Sequence, residues 1–456
     1  MKLGCCLPKK DKSDTPAGHP RDANERTVTG PVARTAQIAA CFLLCASLWA
    51  TIFAAPAAHT DTPDARPAHA AAGPPAQLSP QNESNSRKDY AGAEACATCH
   101  QNIAQSYQLT AHIRTTTAAT RASVLGNFDA GKNVLDTLDP ALRFRMDAKG
   151  DDLFQSAVLG DPPNAKTHTE RMDVVFGGRP IGQSYAYWKG DRLFELPVSY
   201  WQGAGWVNSP GYLDGTADFD RPITPRCMEC HASFAKPIAE TQFSNQFVRG
   251  TVELGITCER CHGPGAGHVA LHSASATMNG ADVPTADLVD LAKASREQKM
   301  QACAQCHAGL GKDLRPAFTY KPGEELSAFV HLDPPDPRMN VDVHGNQVAA
   351  LERSRCYAES TAMTCTTCHN PHETTRTVAS YSATCLTCHQ VTQCGEFAHS
   401  GDSIAQRCVD CHMPVQESKL IESSGGGKEL KAELRNHWIK VWPARPAASP
   451  PAKPGQ

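Results

Sequence analysis

Apolar positions along this chain gather into a few dense patches separated by long polar stretches, and each kind of patch predicts a different element. Ile38–Phe53 (IAACFLLCASLWATIF) is nearly continuous in apolar residues, and no Lys, Arg, Asp or Glu occurs from Ala36 to Thr60. Such a run can enter a membrane and approaches the roughly 20 residues that span one. Further on, Leu142-Arg-Phe-Arg-Met and Leu153-Phe-Gln-Ser-Ala-Val-Leu flank Lys149-Gly150-Asp151. Ser184-Tyr-Ala-Tyr-Trp and Leu193-Phe-Glu-Leu-Pro-Val-Ser-Tyr flank Lys189-Gly190-Asp191 in the same way. Alternating or short apolar runs that meet at a glycine-centred turn are hairpin signals, so a small antiparallel β insert is expected over about 120–220. After it the apolar positions scatter, and short periodic segments such as Leu288–Met300 (LVDLAKASREQKM) predict short helices. Residues 56–88 and 443–456 are rich in Pro, Ala and small polar residues without periodicity, which predicts a linker and a disordered tail.

Composition changes this picture mainly through cysteine. The chain has 456 residues and 20 cysteines, while aromatics are only 6%. Large core side chains are therefore scarce, unless something other than protein fills the interior. A net charge of −3, without a basic stripe interleaved with aromatics, argues against a nucleic-acid partner. Basic residues concentrate instead before the apolar run, at Lys2, Lys9, Lys10, Lys12, Arg21, Arg26 and Arg34. Residues 1–35 then read as a basic cytoplasmic flank and 36–55 as a signal peptide or an uncleaved N-terminal membrane anchor. The long flank favours the anchor, and small residues near Ala55-Pro56-Ala57 favour cleavage. Either way the rest of the chain is expected outside the cytoplasm, in the periplasm or attached to the inner membrane.

Fourteen of the cysteines fall into one pattern. Cys-x-x-Cys-His occurs seven times, at Cys96/Cys99/His100, Cys227/Cys230/His231, Cys258/Cys261/His262, Cys303/Cys306/His307, Cys365/Cys368/His369, Cys385/Cys388/His389 and Cys408/Cys411/His412. Two residues between the cysteines let one turn of chain present both sulfurs to the two vinyl groups on one edge of a haem. The adjacent histidine then lies under the porphyrin as a ligand to iron. A zinc ribbon needs no histidine after its second cysteine, a thioredoxin-type pair would occur once near a βαβ pattern, and a disulfide framework would scatter its cysteines. The repeat predicts seven covalently bound c-type haems, and the 126 residues between His100 and Cys227 hold no attachment site. Of the other cysteines, Cys5, Cys6, Cys41 and Cys45 precede the exported part, whereas Cys356 and Cys394 lie within it and could form a disulfide or stay as thiols.

Iron under a porphyrin takes a second axial ligand, and histidine is in surplus. Of 19 histidines, seven belong to motifs and His19, His59 and His69 to the leader and linker, which leaves nine. Met413, directly after a motif, is too close to reach the far face of its own haem.

As a set, several stretches resemble the cytochrome c-554-like multihaem proteins, in the wider group with hydroxylamine oxidoreductase and the multihaem nitrite and tetrathionate reductases. They are Tyr90-Ala-Gly-Ala-Glu-Ala-Cys-Ala-Thr-Cys-His, Gly255-Ile-Thr-Cys-Glu-Arg-Cys-His-Gly-Pro-Gly-Ala-Gly-His268, Cys365-Thr-Thr-Cys-His-Asn-Pro-His372, Cys408-Val-Asp-Cys-His-Met-Pro414 and His437-Trp-Ile. The resemblance implies a multihaem cytochrome c fold over 89–442, mostly short helices and loops wrapped around closely packed haems. It implies His268 and His372 as distal ligands, often to a neighbouring haem, and by similar placement His112, His344, His399 and His437. His168, His272 and His331 are weaker candidates, and the seventh distal ligand is expected from among them. With every iron closed on both faces the chain would conduct electrons between redox partner proteins. The alternative is an oxidoreductase with one open haem acting on a small nitrogen or sulfur compound. Pentahaem nitrite reductases carry Lys in place of the histidine at their catalytic motif, whereas all seven motifs here end in His.

Overall fold

Both glycine-centred turns form the hairpins expected of them. The computed structural model describes residues 87–443, apart from residue 179 and residues 240–243, 275–287, 334–340 and 375. All of these lie in one unit, Leu78–Gln456. The basic flank and apolar run, nearly all of the linker and the tail beyond residue 443 lie outside the described residues. Among those described, no helix is long and apolar enough to cross a membrane.

Ten strands fill the stretch before the second motif: β1 (Thr116–Ala118), β2 (Val134–Asp136), β3 (Leu142–Lys149), β4 (Asp152–Leu159), β5 (Lys166–Arg171), β6 (Val174–Gly178), β7 (Gly182–Lys189), β8 (Arg192–Glu195), β9 (Val198–Trp201) and β10 (Gly205–Asn208). Gly150 and Gly190 turn the β3–β4 and β7–β8 hairpins at φ 60° and 63°, a conformation that is inexpensive only for glycine. One antiparallel sheet runs β2-β3-β4-β5; the other runs β1-β6-β7-β9-β10, with β8 on β7. Alternation puts Leu142, Phe144 and Met146 of β3 on the inward face, where they meet Val175, Tyr185 and Tyr187 of the opposite sheet. Gln155 ties the sheets together, donating through Nε2 to the Val198 carbonyl (2.6 Å) and accepting from the Val198 N–H (3.1 Å). The insert is thus a ten-stranded sandwich, larger than the small β region expected and beginning at Thr116.

A second correction concerns the C-terminus, where Val415–Gly425 (β11) and Lys428–Arg435 (β12) form a hairpin through Gly426 and Gly427, both at positive φ. It packs on β9 and β10 through Trp201, Val207 and Ala432.

The remainder is mostly short helices, as expected, with two small antiparallel strand pairs, Ala232–Phe234 on Glu253–Leu254 and Lys312–Asp313 on Val330–His331. In chain order the helices are α1 (Ala93–Cys99), α2 (Gln101–Tyr107), α3 (Pro225–His231), α4 (Cys258–His262), α5 (Ala266–Ala274), α6 (Arg296–His307), α7 (Gln347–Glu352), α8 (Arg355–Glu359), α9 (Val378–Cys385), α10 (Phe397–Ser400) and α11 (Cys408–His412). Leu288–Met300 is not one helix. Ser295 accepts from the Gln298 N–H while the Gln298 side chain accepts from the Ser295 N–H, a capping box that starts α6 at Arg296 and carries it through the fourth motif. The largest fully buried side chains all lie between Phe144 and Glu259. The part that carries the last four motifs has a thinner core of protein atoms.

Candidate functional site

Every motif sits on one helical turn, which is the geometry that double attachment needs. In a helix, residues three apart share a face, so the two cysteines of a motif project together and the histidine follows. Motifs two, three, four and seven end α3, α4, α6 and α11, while the fifth occupies a 3-10 turn at Cys365–Thr367. In the first, fifth and sixth the histidine N–H closes the turn on the carbonyl of the first cysteine, at 2.9, 3.0 and 3.0 Å.

The motif histidines then find partners far away in sequence. His100 faces His268 of α5 with ring centroids 6.4 Å apart and planes 22° from parallel. His262 faces His372 at 6.0 Å and 9°, and His369 faces His437 at 6.1 Å and 28°. His307 meets His112 at 6.2 Å with planes 85° apart. Metal–imidazole bonds of about 2 Å on both sides of one metal, plus the ring radii, separate two imidazole centroids by roughly 6 Å. Direct stacking would bring them closer, so these four pairs are spaced as if an iron lay between them. Haem iron takes only two ligands from protein, and pairs rather than larger clusters are what occur. Among the described residues no group of three or more His, Cys, Asp or Glu could hold a bare metal ion.

Hydrogen bonding prepares the rings for that role. His262, His412 and His437 donate from Nδ1 to the carbonyls of Val289 (3.3 Å), Lys440 (3.0 Å) and Arg435 (3.1 Å). A carbonyl only accepts, so the proton sits on Nδ1 and Nε2 keeps its lone pair for iron. Burial pushes His112, His231 and His437 down to about 4, which holds them neutral at physiological pH. His344 lies within electrostatic reach of both His231 and His307.

A profile of the family described as cytochrome c554 and c-prime matches residues 208–263, which contain the second and third motifs. In that stretch the chain is similar to multihaem c-type cytochromes. Among solved structures it is similar to the outer cell wall cytochrome OcwA, at 16% identity and a TM-score of 0.48, over 77% of this chain and 80% of that one. No curated protein matches it. Electron transfer is the general business of such cytochromes.

The remaining predicted site residues are placed as follows. His389 and His399 are both exposed at the surface. The three weaker candidates have partners of their own: His168 lies against Phe219 (4.5 Å) and pairs with Glu170, His272 packs on His268 (4.4 Å), and His331 pairs with Asp333. Cys356 and Cys394 stay separate thiols. Cys356 lies among Cys368, Cys385 and Cys388, whereas Cys394 lies near Cys408.

Attachment sulfurs of different motifs are neighbours. Cys96 lies close enough to Cys258 for the two thiols to influence each other, as does Cys230 to Cys306 and Cys303 to Cys365. Cys385 in turn feels both Cys368 and Cys408. The first and third motifs are thus adjacent, as are the second and fourth, and the fourth leads through the fifth to the sixth and seventh.

Sequence reasoning missed what holds these turns together. The residue just before the second cysteine is Glu229, Arg260 and Gln305 in motifs two, three and four, and all three are buried. Arg260 Nη2 donates to the Glu229 carbonyl (3.0 Å) and Gln305 Nε2 to the Arg260 carbonyl (3.2 Å). Glu229 also accepts from Arg226 (3.0 Å) and from the Phe318 N–H (2.7 Å). The signal was there, as a long polar side chain at one motif position in three consecutive copies.

Proposed function

We propose that the chain carries seven covalent haems outside the cytoplasm and passes electrons along them between redox partner proteins. The observation that carries this reading is the set of four facing imidazole pairs, each joining a motif histidine to a distant one at 6.0–6.4 Å. His100/His268, His307/His112, His262/His372 and His369/His437 are then the axial pairs of motifs one, four, three and five. His231 takes His344, because His112 already faces His307. Bound haem supplies a one-electron ferric/ferrous couple. The residues of the chain fix its two axial bonds, exclude water from them and set its neighbours. Cys261 of the third motif lies within electrostatic reach of Cys303 and Cys306 of the fourth, and with it the adjacency of attachment sulfurs supports a continuous route from the first motif to the seventh, with the second joined at the fourth. Cys227, Cys230, Cys385, Cys388, Cys408, Cys411 and the other motif cysteines serve as thioether anchors. Residues 89–442 form the cytochrome, delivered across the inner membrane by residues 36–55 acting as signal or anchor.

A specific observation favours a second reading for one haem. His389 and His412 both need a distal ligand, and His399 is the one good candidate left, since His168, His272 and His331 have other partners. One of the last two haems would then keep an open face, where a small nitrogen or sulfur compound could bind.

Intact-mass measurement of mature protein should show seven haem adducts resistant to acid–acetone extraction. Fewer than six in material from a host competent in haem attachment would refute the assignment of the motifs.

A further inference from the structure

Beside the third attachment turn lies a cavity of about 230 Å³ lined by Arg87, Tyr90, Arg260, Phe318, Tyr320 and Lys321 among others. Two of its walls carry polar atoms that no protein group satisfies. Arg260 Nε and Tyr320 Oη have no hydrogen-bond partner, although the residues are only 8% and 4% exposed. A guanidinium N–H can only donate. Burial raises the Tyr320 phenol above its ordinary range, so it too remains protonated and able to donate. Buried donors without acceptors are costly and call for an occupant that accepts.

The charges around the cavity fit an anion. Glu259, its one acidic wall, is already engaged by the backbone N–H groups of Ala91, Gly92 and Gly265, each at 2.8 Å. Arg87 pairs with Glu253 and rests over the rings of Tyr90 and Phe234 at 4.0 and 4.7 Å. That leaves Arg260 inside and Lys321 at the exposed rim without a facing carboxylate on the cavity wall. Phe318 shapes the far wall. It is the one described non-glycine residue at positive φ (64°), a strained conformation held by its N–H bond to Glu229. The turn sets its ring against Phe234 and beneath the Arg260 guanidinium.

We propose that this cavity is an oxyanion site, in which a small inorganic anion of the size of nitrite, sulfite or sulfate accepts from Arg260 Nε and Tyr320 Oη. The same chemistry could be supplied from within, by a porphyrin propionate, and the test separates the two sources.

Holoprotein is titrated with sulfate in an isothermal calorimeter, alongside Tyr320→Phe, Arg260→Lys and the distant surface variant Arg143→Gln. The expected result is one sulfate per chain, with affinity roughly ten-fold or more lower in Tyr320→Phe, since hydrogen bonds to charged groups are the strong ones. Arg260→Lys should weaken binding while retaining the charge, and Arg143→Gln should leave it unchanged. A crystal soaked in sulfate should show the anion between the two side chains. Finding a haem carboxylate there, with no sulfate bound in solution, would overturn the free-anion proposal in favour of the internal source. Absence of both, or equal affinity in Tyr320→Phe, would overturn the site altogether.

Discussion

His437 shows how much one side chain here depends on its immediate backbone. Its Nδ1 is bound to the Arg435 carbonyl at 3.1 Å, and Asn436 beside it accepts from the Trp438 N–H at 2.7 Å while its amide reaches Gln416 at 2.8 Å. The ring is thereby aimed at His369 before any ligand is added. Replacing His437 with Ala should convert one low-spin haem to high spin, read as a new ferric signal in low-temperature EPR. His272→Ala should add none, because that ring packs on His268 rather than opposite a motif histidine. An unchanged spin count in His437→Ala would remove this residue from the ligand set. At this scale the sequence was explicit wherever chemistry is local: two sulfurs and an imidazole within five residues identify their own cofactor. The imidazole that faces the motif histidine comes from elsewhere in the chain, and only motif-like surroundings, such as Asn370-Pro371 before His372, marked it. Glu229, Arg260 and Gln305 went unmarked, since their contacts with one another exist only after three distant turns have packed.

Elements position those residues through a few close approaches. Gly255, just before α4, sits at φ 73°, and a Cβ there would lie 2.2 Å from the Ile113 carbonyl oxygen. The same approach includes the Ile256 N–H donating to the His112 carbonyl at 2.9 Å. Gly255→Ala therefore has no relaxed conformation, and it must push the segment that carries His112 away from His307. We expect full haem attachment in this variant, together with a mixed or high-spin fourth haem and a lowered melting temperature; an unaltered EPR spectrum would show that the two segments are not coupled. Among the elements themselves, the β3–β4 and β7–β8 hairpins were legible because a glycine turn separated alternating apolar runs. The β11–β12 hairpin was not, because its flanks are polar and half exposed, so the glycine run at 425–427 had no apolar pattern beside it. Leu288–Met300 misled for the opposite reason: its apolar spacing suits a helix, and Ser295 with Gln298 overrules it.

The molecule as a whole divides its interior between two kinds of filling. The sandwich keeps an all-protein core, with Phe144, Met146 and Tyr185 wholly buried, whereas the attachment turns enclose imidazoles spaced for iron. Low aromatic content hinted at this division, but sequence could not say which half lacked side chains. Nor could it count distal ligands, and that count decides between a closed wire and a chain with a reactive end. Four motif histidines face a partner at 6.0–6.4 Å and His231 has His344 within reach, so His389 and His412 are left with His399. Oxidised protein should accordingly show a high-spin ferric signal worth about one haem, and cyanide should abolish it by occupying the free axial position. His399→Ala should raise that signal to about two haems. It should leave the ring pairs around α4 to α6 untouched, since α10 packs against the neighbouring 3-10 turns Val391–Gln393 and Gly401–Gln406. Only low-spin signals, indifferent to cyanide, would mean that one of His168, His272 or His331 leaves its present partner to close the last iron, and the chain would then be a conductor from end to end.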